Sequence, residues 1–235
     1  MKILFAVALA AAASSANYRI EADSLNFGGL LSSSTNYRLE DTLGESATGI
    51  ASSTSYRIHA GYQAMLGSSI SISAPSDLTL SSIVSSPGGQ SSGSVVWTVT
   101  TDNEAGYTLA IKAATSPALK NASDSFADYT PGGSVPDYTW SVAANASEFG
   151  FSPEGSDTAA NYLDNGSTCG TGSSETANRC WDSFSTTNKT IASRSSNNAP
   201  SGTAITVKLQ AEVVADRAQT TGAYSAALTA TALAQ

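Results

Sequence analysis

Apolar residues recur at every second position in a series of short runs along much of this chain. Ser69-Ile70-Ser71-Ile72-Ser73 alternates cleanly, Leu78-Thr79-Leu80 follows it, and Val95-Val96-Trp97-Thr98-Val99-Thr100 is rich in β-branched residues. Successive side chains of an extended chain point to opposite faces, so this period predicts half-buried strands. Asp102-Asn103-Glu104-Ala105-Gly106 reads as a turn, and Tyr107 to Lys112 is expected to pair back across it onto the strand at Val95–Thr100. Near the far end Ala204 to Val214 alternates again, and Thr220-Thr221-Gly222 turns the chain into a last strand over Tyr224–Leu233. This spacing of strands and turns predicts an all-β fold, an immunoglobulin-like β-sandwich over residues 67–235.

The pattern breaks between the two halves of that sandwich. Residues 114–203 are rich in Ser, Asn, Asp, Gly and Pro, with aromatic islands at Tyr138-Thr139-Trp140, Phe149-Gly150-Phe151 and Trp181-Asp182-Ser183-Phe184. A structureless stretch of this length is uncommon inside a compact domain unless it is functional or pinned. It reads as a long insertion carried on the sandwich.

A different pattern precedes the sandwich. Asn17-Tyr18-Arg19-Ile20 recurs as Asn36-Tyr37-Arg38-Leu39 and as Ser55-Tyr56-Arg57-Ile58, a period of 19 residues. Ser33-Ser34-Thr35 and Ser52-Ser53-Thr54 lead into the second and third copies, and Ser14-Ser15-Ala16 falls in the same register. Tyr18 and Ile20 share one face of a strand while Arg19 takes the other. Gly28-Gly29 and Gly49 punctuate the copies as turns do. Residues 17–66 therefore read as a three-copy module of β repeats, each copy a strand and a return. Fewer than about 50 ordered residues cannot bury an adequate core alone. The repeats either dock on another chain, with Asn17, Tyr18, Arg19 and Ile20 as an assembly strand, or fold onto the rest of their own.

Residues 1–16 read as a signal peptide: Met1-Lys2 supplies the positive start, Ile3 to Ala13 an unbroken apolar run, and Ser14-Ser15-Ala16 the small residues of a cleavage site. The alternative is a buried N-terminal helix. Cleavage would leave Asn17 first and place the protein outside the cytoplasm, secreted or on a bacterial cell surface. No later stretch approaches the roughly 20 apolar residues of a membrane-crossing helix, so no membrane span is expected after cleavage.

Composition narrows the chemistry. Eleven basic against 19 acidic residues give a formal charge of −8, which argues against nucleic acid as a partner, because phosphate neutralisation needs clustered Lys and Arg. Hydrophobic residues at 41% are enough for a packed core. The two cysteines, Cys169 and Cys180, are poorly matched to zinc with the single histidine far away at His59. In an oxidising compartment they are expected to form a disulfide that pins the insertion.

No catalytic arrangement emerges. Nothing near His59 resembles a nucleophile elbow, and Glu148, Glu154, Asp157 and Asp164 occupy polar contexts without the distinguishing spacing of a glycosidase pair. No metal site is expected. Calcium is the one cation with a candidate, at the turn Asp102-Asn103-Glu104, which lacks the spacing of a calcium loop. Trp140, Tyr162 and Trp181 are candidates for stacking on sugar rings, or else form a small core of the insertion.

The stretch Asn36-Tyr37-Arg38-Leu39, Thr42-Leu43-Gly44-Glu45, Ser52-Ser53 with Tyr56, and Ala60-Gly61-Tyr62 resembles a segment of many uncharacterised secreted bacterial proteins. That resemblance covers about the first quarter of the chain and implies a bacterial envelope or secreted protein. The Thr101-Asp102-Asn103 turn leading into Tyr107-Thr108-Leu109, with the closing Gly222-Ala223-Tyr224-Ser225-Ala226-Ala227-Leu228-Thr229, is similar to WxL-type cell-wall-binding β-sandwiches. That family attaches non-covalently to peptidoglycan. This chain departs from it in carrying Tyr107 where the defining Trp stands, and no binding residue is carried over. The function expected is a surface structural protein that assembles by N-terminal strand exchange with itself or other envelope proteins. The alternative is a non-covalent binder of cell-wall glycan or another polysaccharide.

Overall fold

The second and third copies of the repeat are hairpins. The computed structural model describes residues 31–33, 38–40, 49–52, 57–61, 68–73, 75–133 and 135–235, and the chain divides into two units, Met1–Gly67 and Ser68–Gln235. In the first unit β1 (Leu31–Ser33) pairs antiparallel with β2 (Arg38–Glu40), and β3 (Gly49–Ser52) with β4 (Arg57–Ala60). Ser33 faces Arg38 and Leu31 faces Glu40; 19 residues on, Ser52 faces Arg57 and Ile50 faces His59. The sequence period is thus a period of strand register. The first copy, Asn17–Ile20, lies outside the described residues, as do residues 1–16, which are expected to be a signal peptide.

The second unit is an all-β sandwich. Its strands are β5 (Ile70–Ile72), β6 (Gly89–Thr101), β7 (Tyr107–Ala113), β8 (Ala127–Asp128), β9 (Ser147–Glu154), β10 (Asp182–Ser183), β11 (Lys189–Arg194), β12 (Thr203–Val213) and β13 (Leu228–Ala234). One sheet runs β10-β9-β12-β6-β5, with β8 also beside β9; the other runs β11-β7-β13. No α-helix occurs among the described residues, and the one helical turn is a 3₁₀ turn at Ala160–Tyr162.

The period of two survives intact in the strands whose outer face meets water. Val99, Tyr107, Leu109, Ile111, Ile205, Val207, Leu209, Ala211 and Val213 are all odd-numbered, and all are buried. They fill the space between the sheets together with Phe149, Phe151, Phe184 and Tyr162. Burying a side chain of this size contributes about 1.5–3 kcal/mol. Phe151 is completely enclosed, its ring 4.8 Å from Phe184 and 6.1 Å from Tyr162.

Two expectations are corrected. The turn after β6 does not fold β7 back beside it: β6 pairs with β12 and β5, and β7 with β11 and β13. Both flanks of β6 near that turn are taken, one by β12 up to Val99 and the other by β5 at Val99–Thr101. Asp102 reinforces this, since its carboxylate accepts the Ser69 N–H at 2.6 Å and the Ser69 hydroxyl at 2.8 Å. The turn therefore carries the chain from one sheet to the other.

Secondly, residues 114–203 are not an insertion on a finished sandwich, because they supply β8 to β11. β9 sits inside the larger sheet between β10 and β12, and β11 forms an edge of the smaller one. β9 shows no alternation because Ser147 to Pro153 are buried on both faces. At the other end, β13 begins at Leu228 and not at Tyr224, whose ring packs edge-on against Phe126 at 5.1 Å.

Candidate functional site

Tyr162 belongs to one of two buried clamps between the sheets. Its hydroxyl donates to Asp182 Oδ2 at 2.9 Å, and Lys189 Nζ donates to Asp182 Oδ1 at 2.7 Å. Tyr107 donates to Asp157 Oδ2 at 2.7 Å, and Arg194 Nη1 reaches Asp157 Oδ1 at 3.2 Å. Both carboxylates are buried, and each is matched by a cation from one end of β11. Burial, reinforced by the neighbouring carboxylate, pushes both tyrosine hydroxyls well above the ordinary tyrosine range. Tyr162 is only 2% exposed, so it offers no ring face to a sugar.

Trp140 and Trp181 lie on the outer face of the larger sheet. Trp140 stacks on Tyr129 with ring centroids 4.2 Å apart, and Trp181 meets Trp140 edge-on at 5.1 Å. The rings sit over Gly150, where a Cβ would stand 2.6 Å from Tyr129 Cβ and 3.0 Å from Trp140. Only glycine lets them approach the strand so closely. Trp181 is 2% exposed and donates its indole N–H to Asn178 O. Trp140 is half-buried, and its indole N–H donates to Glu212 Oε2 at 2.6 Å. The fold thus brings Trp140 and Trp181 together as a second small core and leaves Tyr162 on the opposite side of the sheet. The three form no open stacking platform.

Glu148 stands directly across from Glu212 in the β9–β12 register and accepts the Thr130 N–H at 3.1 Å. Burial pushes its carboxyl above the ordinary range, the Glu212 charge adds to this, and the Thr130 N–H only partly opposes it. A carboxyl with a raised folded pKa costs the native state stability as pH rises through that value. Glu148→Gln removes this cost and keeps an acceptor for Thr130. It should raise the melting temperature at pH 7 by about 2–4 °C, read by circular dichroism; an unchanged or lower value would refute the assignment.

The remaining sequence candidates are absorbed locally. Cys169 and Cys180 form a disulfide with Cα atoms 5.6 Å apart. Asp164, fully buried, accepts N–H bonds from Gly166 at 2.7 Å and Thr176 at 3.0 Å, and Glu154 accepts the Asn178 N–H at 2.8 Å. In the turn proposed for calcium, Asp102 is engaged by Ser69, and the Asn103 amide donates to Gln235 O. Among the described residues no group of three or more His, Cys, Asp or Glu is placed to hold a metal ion. His59 lies in β4, paired with Ile50.

The feature left open is a strand edge. On the side of β6 away from β12, pairing covers only Val99–Thr101 with β5, and the Ser73 N–H to Thr98 O bond closes it. From Gly89 to Trp97 that side has no backbone partner among the described residues. Pro75 stands just beyond β5, and proline has no N–H with which to continue a ladder. The chain instead tucks Leu78 and Leu80 over Gly93 on the inner side. This leaves a groove of about 350 Å³ lined by Pro75, Ser76, Asp77, Leu78, Ser94, Val95 and Val96. Asp77 is exposed and makes no hydrogen bond or ion pair among the described residues. Sequence reasoning missed this groove; its only local signals are the proline after β5 and the small residues at the start of β6.

No protein-family model matches the chain, and neither the curated proteins nor the solved structures contain a match to it.

Proposed function

We propose that this chain is an exported, non-catalytic structural protein of a bacterial cell surface whose copies join by exchange of the N-terminal strand. The observation that carries this is the hairpin register. In the second and third copies the Arg-containing strand pairs with a strand ending five residues before it, Ser33 with Arg38 and Ser52 with Arg57. In the same register, the partner of the first copy would be Ala12-Ala13-Ser14, inside the segment that reads as a leader. Cleavage after Ala16 would strip the first copy of its hairpin partner and leave Asn17–Ile20 with unsatisfied backbone groups. Such a strand adds readily to an exposed sheet edge, where main-chain hydrogen bonds supply affinity. The Cys169–Cys180 disulfide accords with an oxidising compartment.

The exported, processed protein should form oligomers or filaments by sizing and negative-stain microscopy. The same protein lacking Asn17–Gly29 should be monomeric. Equal assembly of both, or of neither, would end this reading.

A further inference from the structure

We infer that the open edge of β6, Gly89–Trp97, is the acceptor for the Asn17–Ile20 strand of a second copy of this chain. This rests on the strand-exchange reading above and assigns the surface that reading needs.

β6 itself lacks two of the devices by which sheet proteins protect an edge. Exposed edges are normally blunted by charge, by proline within the strand or by a covering element. β6 carries none of the first two: Gly-Gln-Ser-Ser-Gly-Ser-Val-Val-Trp-Thr-Val-Thr-Thr contains no charged residue and no proline. The chain that could cover it lies to the inner side over Gly93 and makes no backbone bond to residues 89–97. Exposed apolar surface gathers on the same flank. Of the six large apolar side chains exposed among the described residues, Ile72, Leu78, Val84 and Val96 all belong to β5, β6 or the segment joining them.

The chemistry of the groove matches the donor. Leu78, Val95 and Val96 offer apolar contacts, and Asp77 is its one charged group. Added as a strand, Tyr18-Arg19-Ile20 would present two apolar side chains on one face and a cation on the other. Two copies of a chain with a net charge of −8 repel at long range, so a local pairing of Arg19 with Asp77 would both attract the strand and set its register. The sibling strands β2 and β4 are already paired within their own hairpins, which leaves the first copy as the donor.

Charge reversal in the exported, processed chain tests this. Arg19→Glu and Asp77→Arg should each raise the concentration for half-assembly by about tenfold or more, with unchanged circular dichroism melting. An equimolar mixture of the two variants, and the double variant alone, should each return to within about threefold of the parent, because every donor then meets an acceptor of opposite charge. Recovery in the mixture requires the strand to cross between copies. Asp77→Arg assembling like the parent, or a mixture that stays unassembled, overturns the assignment. If deletion of Asn17–Gly29 abolishes assembly while Asp77→Arg does not, strand exchange stands and the acceptor lies elsewhere. A parent that is monomeric at every concentration overturns both.

Discussion

Replacing Asp182 by alanine is expected to lower the unfolding free energy by about 3–5 kcal/mol, the cost of breaking a buried ion pair from one side. The carboxylate joins the buried Tyr162 hydroxyl to the Lys189 ammonium, and its side chain is only 5% exposed against 26% for lysine. Alanine leaves a buried hydroxyl without an acceptor and a half-buried cation without its counter-charge. Asp182→Asn should cost less, since an acceptor for Tyr162 remains. Asp157→Ala should behave like Asp182→Ala, because it strips Tyr107 and Arg194 of their shared partner. The two clamps grip opposite ends of β11, so their losses should add to within about 0.5 kcal/mol. Urea unfolding followed by tryptophan fluorescence measures this. A loss below about 1 kcal/mol for Asp182→Ala would place it with surface ion pairs.

Reducing the disulfide, or replacing Cys169 and Cys180 by serine, should cost about 3 kcal/mol through the freedom regained by the unfolded chain. The residues are 11 apart in sequence, and the loop between them is held independently by Asp164. Burial alone would raise the Asp164 pKa. The N–H groups of Gly166 and Thr176 and the Thr176 hydroxyl outweigh burial and hold it below the ordinary range. With the folded pKa depressed, this stabilisation is fully present above the unfolded value of about 3.9 and is lost as pH falls through the folded one. The loss on reduction should therefore be no larger at neutral pH in an Asp164→Ala background than in the parent, because a disulfide that must also order a loosened folded loop gains less from restricting the unfolded chain. Differential scanning calorimetry with and without reductant reads this; a larger loss in the Asp164→Ala background would mean that the disulfide acts chiefly on the folded loop.

How legible the fold was depended on what each strand faces. β6, β7 and β12 were readable because their outer sides alternate with buried odd-numbered residues such as Val99, Leu109 and Val207. β9 was not, because Tyr129, Trp140 and Trp181 cover its outer face over Gly150, and a strand buried on both sides loses the period that identifies it. β11 was missed for its shortness and its bulge between Thr190 and Ala192. Among the candidate residues, the cysteine pair could be read from residue type and count, since the chain holds two cysteines. The burial of Tyr162 and Trp181 could not, since an aromatic in a polar stretch looks the same whether it closes a core or waits for a ligand.

The sequence by itself determined the all-β class, the 19-residue period of the hairpins and the pairing of Cys169 with Cys180. Each of these depends on neighbours in the chain or on residue type: alternation encodes a strand, repetition encodes a repeated register, and two cysteines leave one intramolecular pairing. Only the tertiary structure decided which strands share a sheet. The turn at Asp102–Gly106 leads across the sandwich because both flanks of β6 near it are occupied by strands from distant parts of the chain. It also decided that Tyr107 and Asp157, 50 residues apart, would meet in a buried hydrogen bond, and that the edge of β6 from Gly89 to Trp97 would have no backbone partner among the described residues. Pairing partners, buried charges and open edges are properties of which surfaces meet, and the local pattern of residues does not encode them.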